Sequence, residues 1–358
     1  MPLRSRFVVI ALLPLLAWGQ ARKYSNAFLS IGVDARSMAL SNAVVASTHD
    51  VNATYWNPAG LQGMGDSWEA AAMHAEYFAS IAQYDYLAYA QPLKDGSALG
   101  ISVIRFGVDD IPNTTELIDE RGQVDYDRIT RFSAADYAVM GSYAREAKGV
   151  PGLRLGGTVK LVYRQIGKFA SAVGFGFDLG AQYRSGPWQY GAVLRDATTT
   201  FNAWNINESA LEDPFKATGN ELPTETLELT IPRLLLGAGR QWALGKDYKL
   251  HTEVNLDFTF GGRRNVLVSS DLANMNPNVG VELGFRDFIF LRAGAGQVNR
   301  LRDLDGQIYY GVQPNLGLGF RYGGFTVDYA LTDIAGASGA FYSNVFSLKF
   351  NFGAFKEN

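Results

Sequence analysis

The feature that most constrains this chain is an alternation of apolar and polar residues that begins after Met64 and persists over long runs. Val173, Phe175, Phe177, Leu179, Ala181 and Tyr183 fall on one side, against Gly174, Gly176, Asp178, Gly180, Gln182 and Arg184. Leu155, Val159, Leu161 and Tyr163 oppose Arg154, Thr158, Lys160 and Arg164. Leu250, Val254, Leu256, Phe258 and Phe260 oppose His251, Glu253, Asn255, Asp257 and Thr259. A period of two puts successive side chains on opposite faces of a strand. A soluble sandwich and a membrane barrel share that pattern, and length separates them. The runs here last roughly ten to fourteen residues, whereas globular strands average about five or six and a tilted membrane strand needs about nine to eleven. Aromatic residues near the run ends, among them Tyr84, Tyr163, Trp188, Tyr190, Trp242 and Tyr310, suit the interfacial girdles of a barrel.

About fourteen such strands fit between residues 67 and 353. The even count is what a single-chain bacterial barrel requires. The connections give a second, independent signal. Those at 94–96, 148–151, 185–187, 244–247, 286–287 and 323–324 are tight, and the longest, 108–132 and 198–229, fall on the other side. Outer-membrane barrels pair short periplasmic turns with long outer loops. The parity therefore puts both chain ends in the periplasm. The last strand alternates Phe346, Leu348, Phe350 and Phe352 with Ser347, Lys349 and Asn351. The fold class read from these patterns is all-β, a transmembrane antiparallel β-barrel of about fourteen strands over 65–358.

Composition excludes several classes. A net charge of −3 gives no case for nucleic acid. There is no cysteine, so no disulfide and no thiolate chemistry. After the first twenty residues no apolar run reaches the roughly eighteen residues of a spanning helix. Residues 1–20 read as a signal peptide, with Arg4 and Arg6 before the apolar run Phe7 to Trp18. They are set aside from the fold, and the chain is expected in the cell outer membrane. His49, His74 and His251 show no metal-ligand spacing. No nucleophile–base pattern is visible, and carboxylate pairs such as Glu253 and Asp257 on one strand face do not rise above background. An enzyme, a cofactor and a metal are not expected.

Residues 21–64 do not alternate. They are rich in Ala, Ser and Gly and break at Asn57-Pro58, where a residue before proline leaves the helical region and starts a turn. They read as a compact segment that plugs the barrel. The blocks Val33-Asp34-Ala35-Arg36-Ser37-Met38-Ala39-Leu40 and Tyr55-Trp56-Asn57-Pro58-Ala59-Gly60-Leu61 resemble the hatch of the FadL-like barrels. They look most similar to the PorV/PorQ branch, the outer-membrane barrels of type IX secretion. That resemblance implies a fourteen-stranded barrel with an N-terminal hatch, with Asp34, Arg36, Asn57, Pro58, Ala59 and Gly60 as its motif. It implies a non-enzymatic partner of a large translocon barrel, or of the C-terminal signal domains of secreted cargo. The alternative is a FadL-like transporter of small hydrophobic molecules. Asn57, Pro58 and Ala59 either shift with a ligand or form a turn that packs the plug.

Two further groups of residues are candidates. Lys160, Arg164, Asp178, Glu253, Asp257, Glu282 and Arg286 fall on polar strand faces and would line a wet lumen, where Asp34 and Arg36 could find partners. Phe201, Trp204, Leu211 and Phe215 dot the 198–229 connection and would suit a protein interface on the outer rim or fold inward over the plug. Outer-membrane lipid would surround the wall.

Overall fold

A computed structural model describes residues 25–355, apart from 79, 119–121, 220, 223–225, 304 and 335–341. The signal peptide expected over 1–20, the first residues of the 21–64 segment and the last of the tail lie outside the described residues. Seventeen strands are present: β1 (Glu69–Tyr77), β2 (Ala82–Pro92), β3 (Ser97–Asn113), β4 (Thr130–Glu146), β5 (Leu153–Ile166), β6 (Ala170–Ser185), β7 (Trp188–Arg195), β8 (Thr200–Ile206), β9 (Leu227–Thr230), β10 (Arg233–Leu244), β11 (Tyr248–Thr259), β12 (Val268–Ser269), β13 (Asn274–Phe285), β14 (Ile289–Arg302), β15 (Ile308–Tyr322), β16 (Phe325–Thr332) and β17 (Ser343–Asn351). Among the described residues three α-helices accompany them: α1 (Ala35–Ala39), α2 (Ala53–Trp56) and α3 (Glu208–Thr218).

Fourteen of the strands form one closed antiparallel barrel. Each pairs with the next, β7 passes directly to β10, β11 to β13, and β17 closes onto β1 from Glu69↔Asn351 to Glu76↔Asn344. Closure leaves no edge strand with unpaired backbone groups. The remaining three strands are short. β8 continues the ladder of β6 and carries β9, and β12 lies on β13.

The alternation appears as an inside and an outside. On β5, Leu155, Val159, Leu161 and Tyr163 are exposed while Thr158, Lys160 and Val162 between them are buried. The same holds around the ring, where Leu87, Ile101, Val139, Phe175, Leu236, Val254, Leu291, Leu318 and Leu348 all face outward. An apolar exterior around a filled interior that holds many charged and polar side chains is the inverse of a soluble sandwich. It agrees with the all-β barrel read from the sequence.

The turns are where the parity placed them. Arg286 and Asp287 both have positive φ, 52° and 53°, the backbone of a two-residue hairpin whose twist matches its strands. This corrects one lumen assignment: Arg286 sits in the turn, exposed, and pairs with Asp247 at 2.8 Å. The opposite end departs further from expectation. β3 and β4 run six and three residues past the 107 and 133 boundaries suggested by alternation, through a register shift between Val108 and Ile111 where Asp110 has φ 58°. A bulge flips the face of every later residue, so the period-two signal breaks there although the strand continues. The 198–229 connection is not one loop but β8, α3 and β9. Helix α3 stops at Gly219, which takes the left-handed φ of 67°.

Candidate functional site

Residues 25–64 pack against the inward face of the wall, and their local structure follows from a few polar side chains. Asp34 has φ 72°, and its carboxylate accepts from Ser37 N at 3.3 Å and Ser37 Oγ at 3.0 Å, capping α1. Asn57 is extended, and its Oδ1 accepts from Ala59 N at 3.2 Å, starting the 3-10 turn Pro58–Gly63 with proline in its first turn. The Asn57 amide then donates to Val45 O at 2.9 Å and to Ala181 O of β6 at 3.0 Å. One side chain thus builds the turn and fastens it to the wall.

The wall is shaped for this segment by missing side chains. A Cβ on Gly156 of β5 would lie 2.5 Å from Ala59 N and Pro58 C, and one on Gly180 of β6 would lie 2.3 Å from Asn57 Oδ1. Gly191 of β7 and Gly294 of β14 would meet Val45 O and Leu40 C at 2.4 Å. These inward glycines let backbone lie on backbone.

Ionic groups tie the rest. Arg36 donates to Glu282 of β13 through Nε at 2.8 Å and Nη2 at 3.0 Å. Glu282 also takes Arg292 of β14 at 2.6 Å, and Arg292 reaches Asp328 of β16 at 2.6 Å. Lys349 of β17 pairs with Asp50. Asp34 accepts from Ser347 Oγ of β17 at 3.0 Å. Glu253 accepts from Ala46 N at 2.7 Å, and Glu69 from Val51 N at 3.0 Å. Arg195 of β7 donates to Leu29 O and Tyr55 O, with its guanidinium carbon 4.4 Å from the Tyr55 ring centroid. Burial, with Asp328 and Asp50 nearby, raises the Asp34 carboxyl to about 6. Burial also acts to raise Asp50, but the Lys349 ammonium outweighs it and holds this carboxyl below its ordinary range. Burial lowers the His49 imidazole.

The interior is two-sided. Where β1–β4 face inward, Met73, Ala75, Tyr84, Tyr86, Ile104 and Met140 are buried and apolar or aromatic, and they meet Phe28, Met38, Tyr55 and Trp56 of the segment. Two of the hydroxyls there are bonded, Tyr84 to Phe28 O at 3.1 Å and Tyr86 to Thr54 at 3.0 Å, while among the described residues the buried Ser102 hydroxyl of β3 has no partner. From β5 round to β14 the inward face is mostly polar and ionic, and the ion pairs cluster there. Two small clefts flank the segment. One is lined by Ser47, His49, Arg154 and Gln182 toward the short-turn end. The other is lined by Met38, Asn42, Gln313 and Asn315 toward the long-connection end.

Most of the polar residues singled out in the sequence do face inward. Lys160 is buried between Asp178 at 2.7 Å and Asp196 at 2.5 Å. Arg164 pairs with Asp136 at 2.8 Å and Glu228 at 3.1 Å, and Asp257 with Arg233. Pro58, Ala59 and Gly60 are buried in the 3-10 turn. The rim residues are divided. Phe201 on β8 is exposed. Leu211 and Phe215 are half-buried on α3. Trp204 turns inward, donating to Glu228 at 3.2 Å beneath the Arg164 guanidinium. The sequence reading passed over Arg195, Arg233, Arg292, Asp328, Asp50 and Lys349. Each wall residue among them occupies an inward position of its strand, so the alternation that flagged Lys160 could have flagged it.

Hydrocarbon channels and transporters are among the solved structures this chain is similar to. The chain is similar to CymD, a monoaromatic hydrocarbon channel, at 10% identity over 90% of this chain and 98% of that one, with a TM-score of 0.56. It is similar to the Ralstonia pickettii toluene transporter TbuX, at 14% identity over 90% and 98%, TM-score 0.54. The P. putida toluene transporter TodX matches at 12% identity over 90% and 99%, TM-score 0.53. At these identities the likeness is one of fold. No family model matches the sequence, and no curated protein does. These findings overturn the expectation of a PorV/PorQ-like secretion component: the similar structures are named as a monoaromatic hydrocarbon channel and toluene transporters. The short hatch-like motif reported the shared barrel architecture and not the branch. None of the three similar structures is described as an enzyme.

Proposed function

We propose that this protein is an outer-membrane barrel that admits small hydrophobic molecules, and that residues 25–64 are its hatch. The observation that carries the reading is the apolar sector between the β1–β4 wall and Phe28, Met38, Tyr55 and Trp56. A hydrophobic solute gains roughly 25 cal/mol for each Å² it removes from water there. The opposite side of the segment is held by hydrogen bonds and ion pairs, so it would act as the hinge side while the apolar contact parts. The tyrosine hydrogen bonds from Tyr84 to Phe28 O and from Tyr86 to Thr54 would part with this contact, and the apolar surface re-forms around a guest. The fold shared with a monoaromatic hydrocarbon channel and two toluene transporters supports the same reading, as does the apolar exterior all round the wall.

The test is uptake of a labelled monoaromatic hydrocarbon by intact Gram-negative cells stripped of their own hydrocarbon channels. The full chain is expected to accelerate uptake, and Ile104→Arg, which puts a charge into the apolar sector, to abolish the gain. Uptake no faster than in cells lacking the barrel would sink the proposal. Deleting residues 25–64 is expected to raise small-ion conductance in planar bilayers, and unchanged conductance would remove the hatch from it.

A further inference from the structure

On the outward face near the short-turn end, one arginine stands among aromatic side chains. Arg240 of β10 lies directly across the ladder from Trp188 of β7. Its guanidinium carbon is 4.9 Å from the Trp188 ring centroid and 3.7 Å from that of Trp242, two residues further along β10. Leu236, Trp242 and Leu244 are exposed at the outward positions of the same strand, and Arg240 shares their parity. Trp188 leads on to Tyr190, stacked at 6.3 Å and 14°. Strand β10 ends four residues later at Leu244, where the tight turn to β11 begins.

Two properties of Arg240 call for a reason. It is a permanent charge on a wall face that is otherwise apolar around it. Among the described residues its side chain has no carboxylate and no hydrogen-bond acceptor, and its Nε is covered without a partner. Two other outward arginines have carboxylates beside them: Arg105 lies 3.5 Å from Asp85 and 3.6 Å from Asp109, and Arg131 lies 3.7 Å from Asp110. The indoles beside Arg240 attract its flat faces through their ring quadrupoles, and a guanidinium held so can still offer its two terminal nitrogens to a ligand at its edge. Such an edge matches a phosphate group with two parallel hydrogen bonds. Aromatic girdles sit where headgroups meet hydrocarbon.

We propose that Arg240, held between Trp188 and Trp242, binds the phosphodiester of a glycerophospholipid in the leaflet at the short-turn end. Leu236 and Tyr190 beside it offer apolar surface to an acyl chain. The proposal rests on the barrel being embedded in a bilayer.

The test mixes the purified full-length barrel, in mild detergent, with phosphatidylglycerol or with a diacylglycerol of the same chains, and counts bound lipid by native mass spectrometry. The wild type is expected to retain the phospholipid and not the diacylglycerol. R240Q is expected to lower occupancy about tenfold, through loss of a charge-assisted hydrogen-bonded pair. R240K, which keeps the charge but not the planar fork, is expected to fall between. Millimolar inorganic phosphate is expected to leave the lipid in place. Heat-dependent gel mobility confirms barrel closure for each variant. Equal phospholipid occupancy in closed wild type and closed R240Q overturns the proposal. Equal retention of diacylglycerol, or displacement by inorganic phosphate, does the same. A wild-type barrel that fails to insert into lipid vesicles instead overturns the membrane reading beneath it.

Discussion

Gly156→Ala is expected to loosen the internal segment while leaving the wall closed. The added Cβ would stand 2.5 Å from Ala59 N and Pro58 C. Carbon contacts settle near 3.5 to 4.0 Å, so the 3-10 turn must retreat by about 1 Å. Both obstructing atoms are backbone, in a turn held by Asn57 on two sides, and neither can rotate out of the way. Overpacking of this kind costs about 1–3 kcal/mol. At about 1.4 kcal/mol per factor of ten, the docked–undocked equilibrium shifts by roughly 5- to 150-fold. The ladder bonds of β5 and its outward side chains are untouched. Gly141→Ala on the neighbouring β4 is the matched control, since nothing lies within 4 Å of a Cβ there. The readout is the fraction of time that single barrels conduct in planar bilayers, with heat-dependent gel mobility as the check on closure. Gly156→Ala is expected to raise that fraction about tenfold over Gly141→Ala. Indistinguishable records from two closed barrels would refute the claim that this glycine exists for close approach.

Two other perturbations follow from the buried charges. Glu282→Gln strips the countercharge shared by Arg36 and Arg292, and leaving such charges buried costs about 3–5 kcal/mol. Protease cleavage within 25–64 is expected at lower denaturant than in the wild type, with Arg36→Met in the same chain recovering part of the loss; a double-mutant cycle with zero coupling argues against the pair. Asp34 supplies a pH dependence of definite sign. Its carboxyl is raised to about 6 by burial and by Asp328 and Asp50, against about 3.9 when unfolded. The folded state therefore holds the proton more tightly. Docking of the segment is expected to be fully supported below pH about 4 and to weaken as pH rises from about 4 to about 6. Asp34→Asn, which mimics the protonated form, is expected to flatten protection against proteolysis across that window, and a slope unchanged by the substitution would exclude Asp34 as its source.

The wall was legible because its rule is local. Alternation fixes which side of a strand a residue faces, and that was enough to place Lys160, Asp178, Glu253 and Glu282 inside. Turn chemistry fixed the short connections in the same way, and the Arg286 error arose from extending a strand face one residue into a turn. The partners were not legible. That Lys160 meets Asp196, or Arg36 meets Glu282, depends on register and stagger between strands far apart in sequence. The bulge after Val108 hid the outer end of β3 by reversing its faces, and with it the pairing to the outer end of β4. The functional reading leaned on a motif whose residues turn out to shape and fasten a turn. Such residues report architecture, and the cargo of a barrel is set elsewhere, by the chemistry of the sector a solute would touch.

The bonds from the N-terminal segment to β17 bear on how the molecule is assembled. Asp34 to Ser347 spans 313 residues, Ala35 to Ser347 spans 312, and Lys349 to Asp50 spans 299. Nothing emerging first from synthesis can complete these contacts until the final strand exists. Contacts of such separation carry the largest loop-closure cost and form late. Closing the ring and seating the segment therefore become one event: β17 arrives already carrying Ser347 and Lys349, and the act that seals the wall also locks what lies inside. A chain truncated by its last strand forfeits both at once.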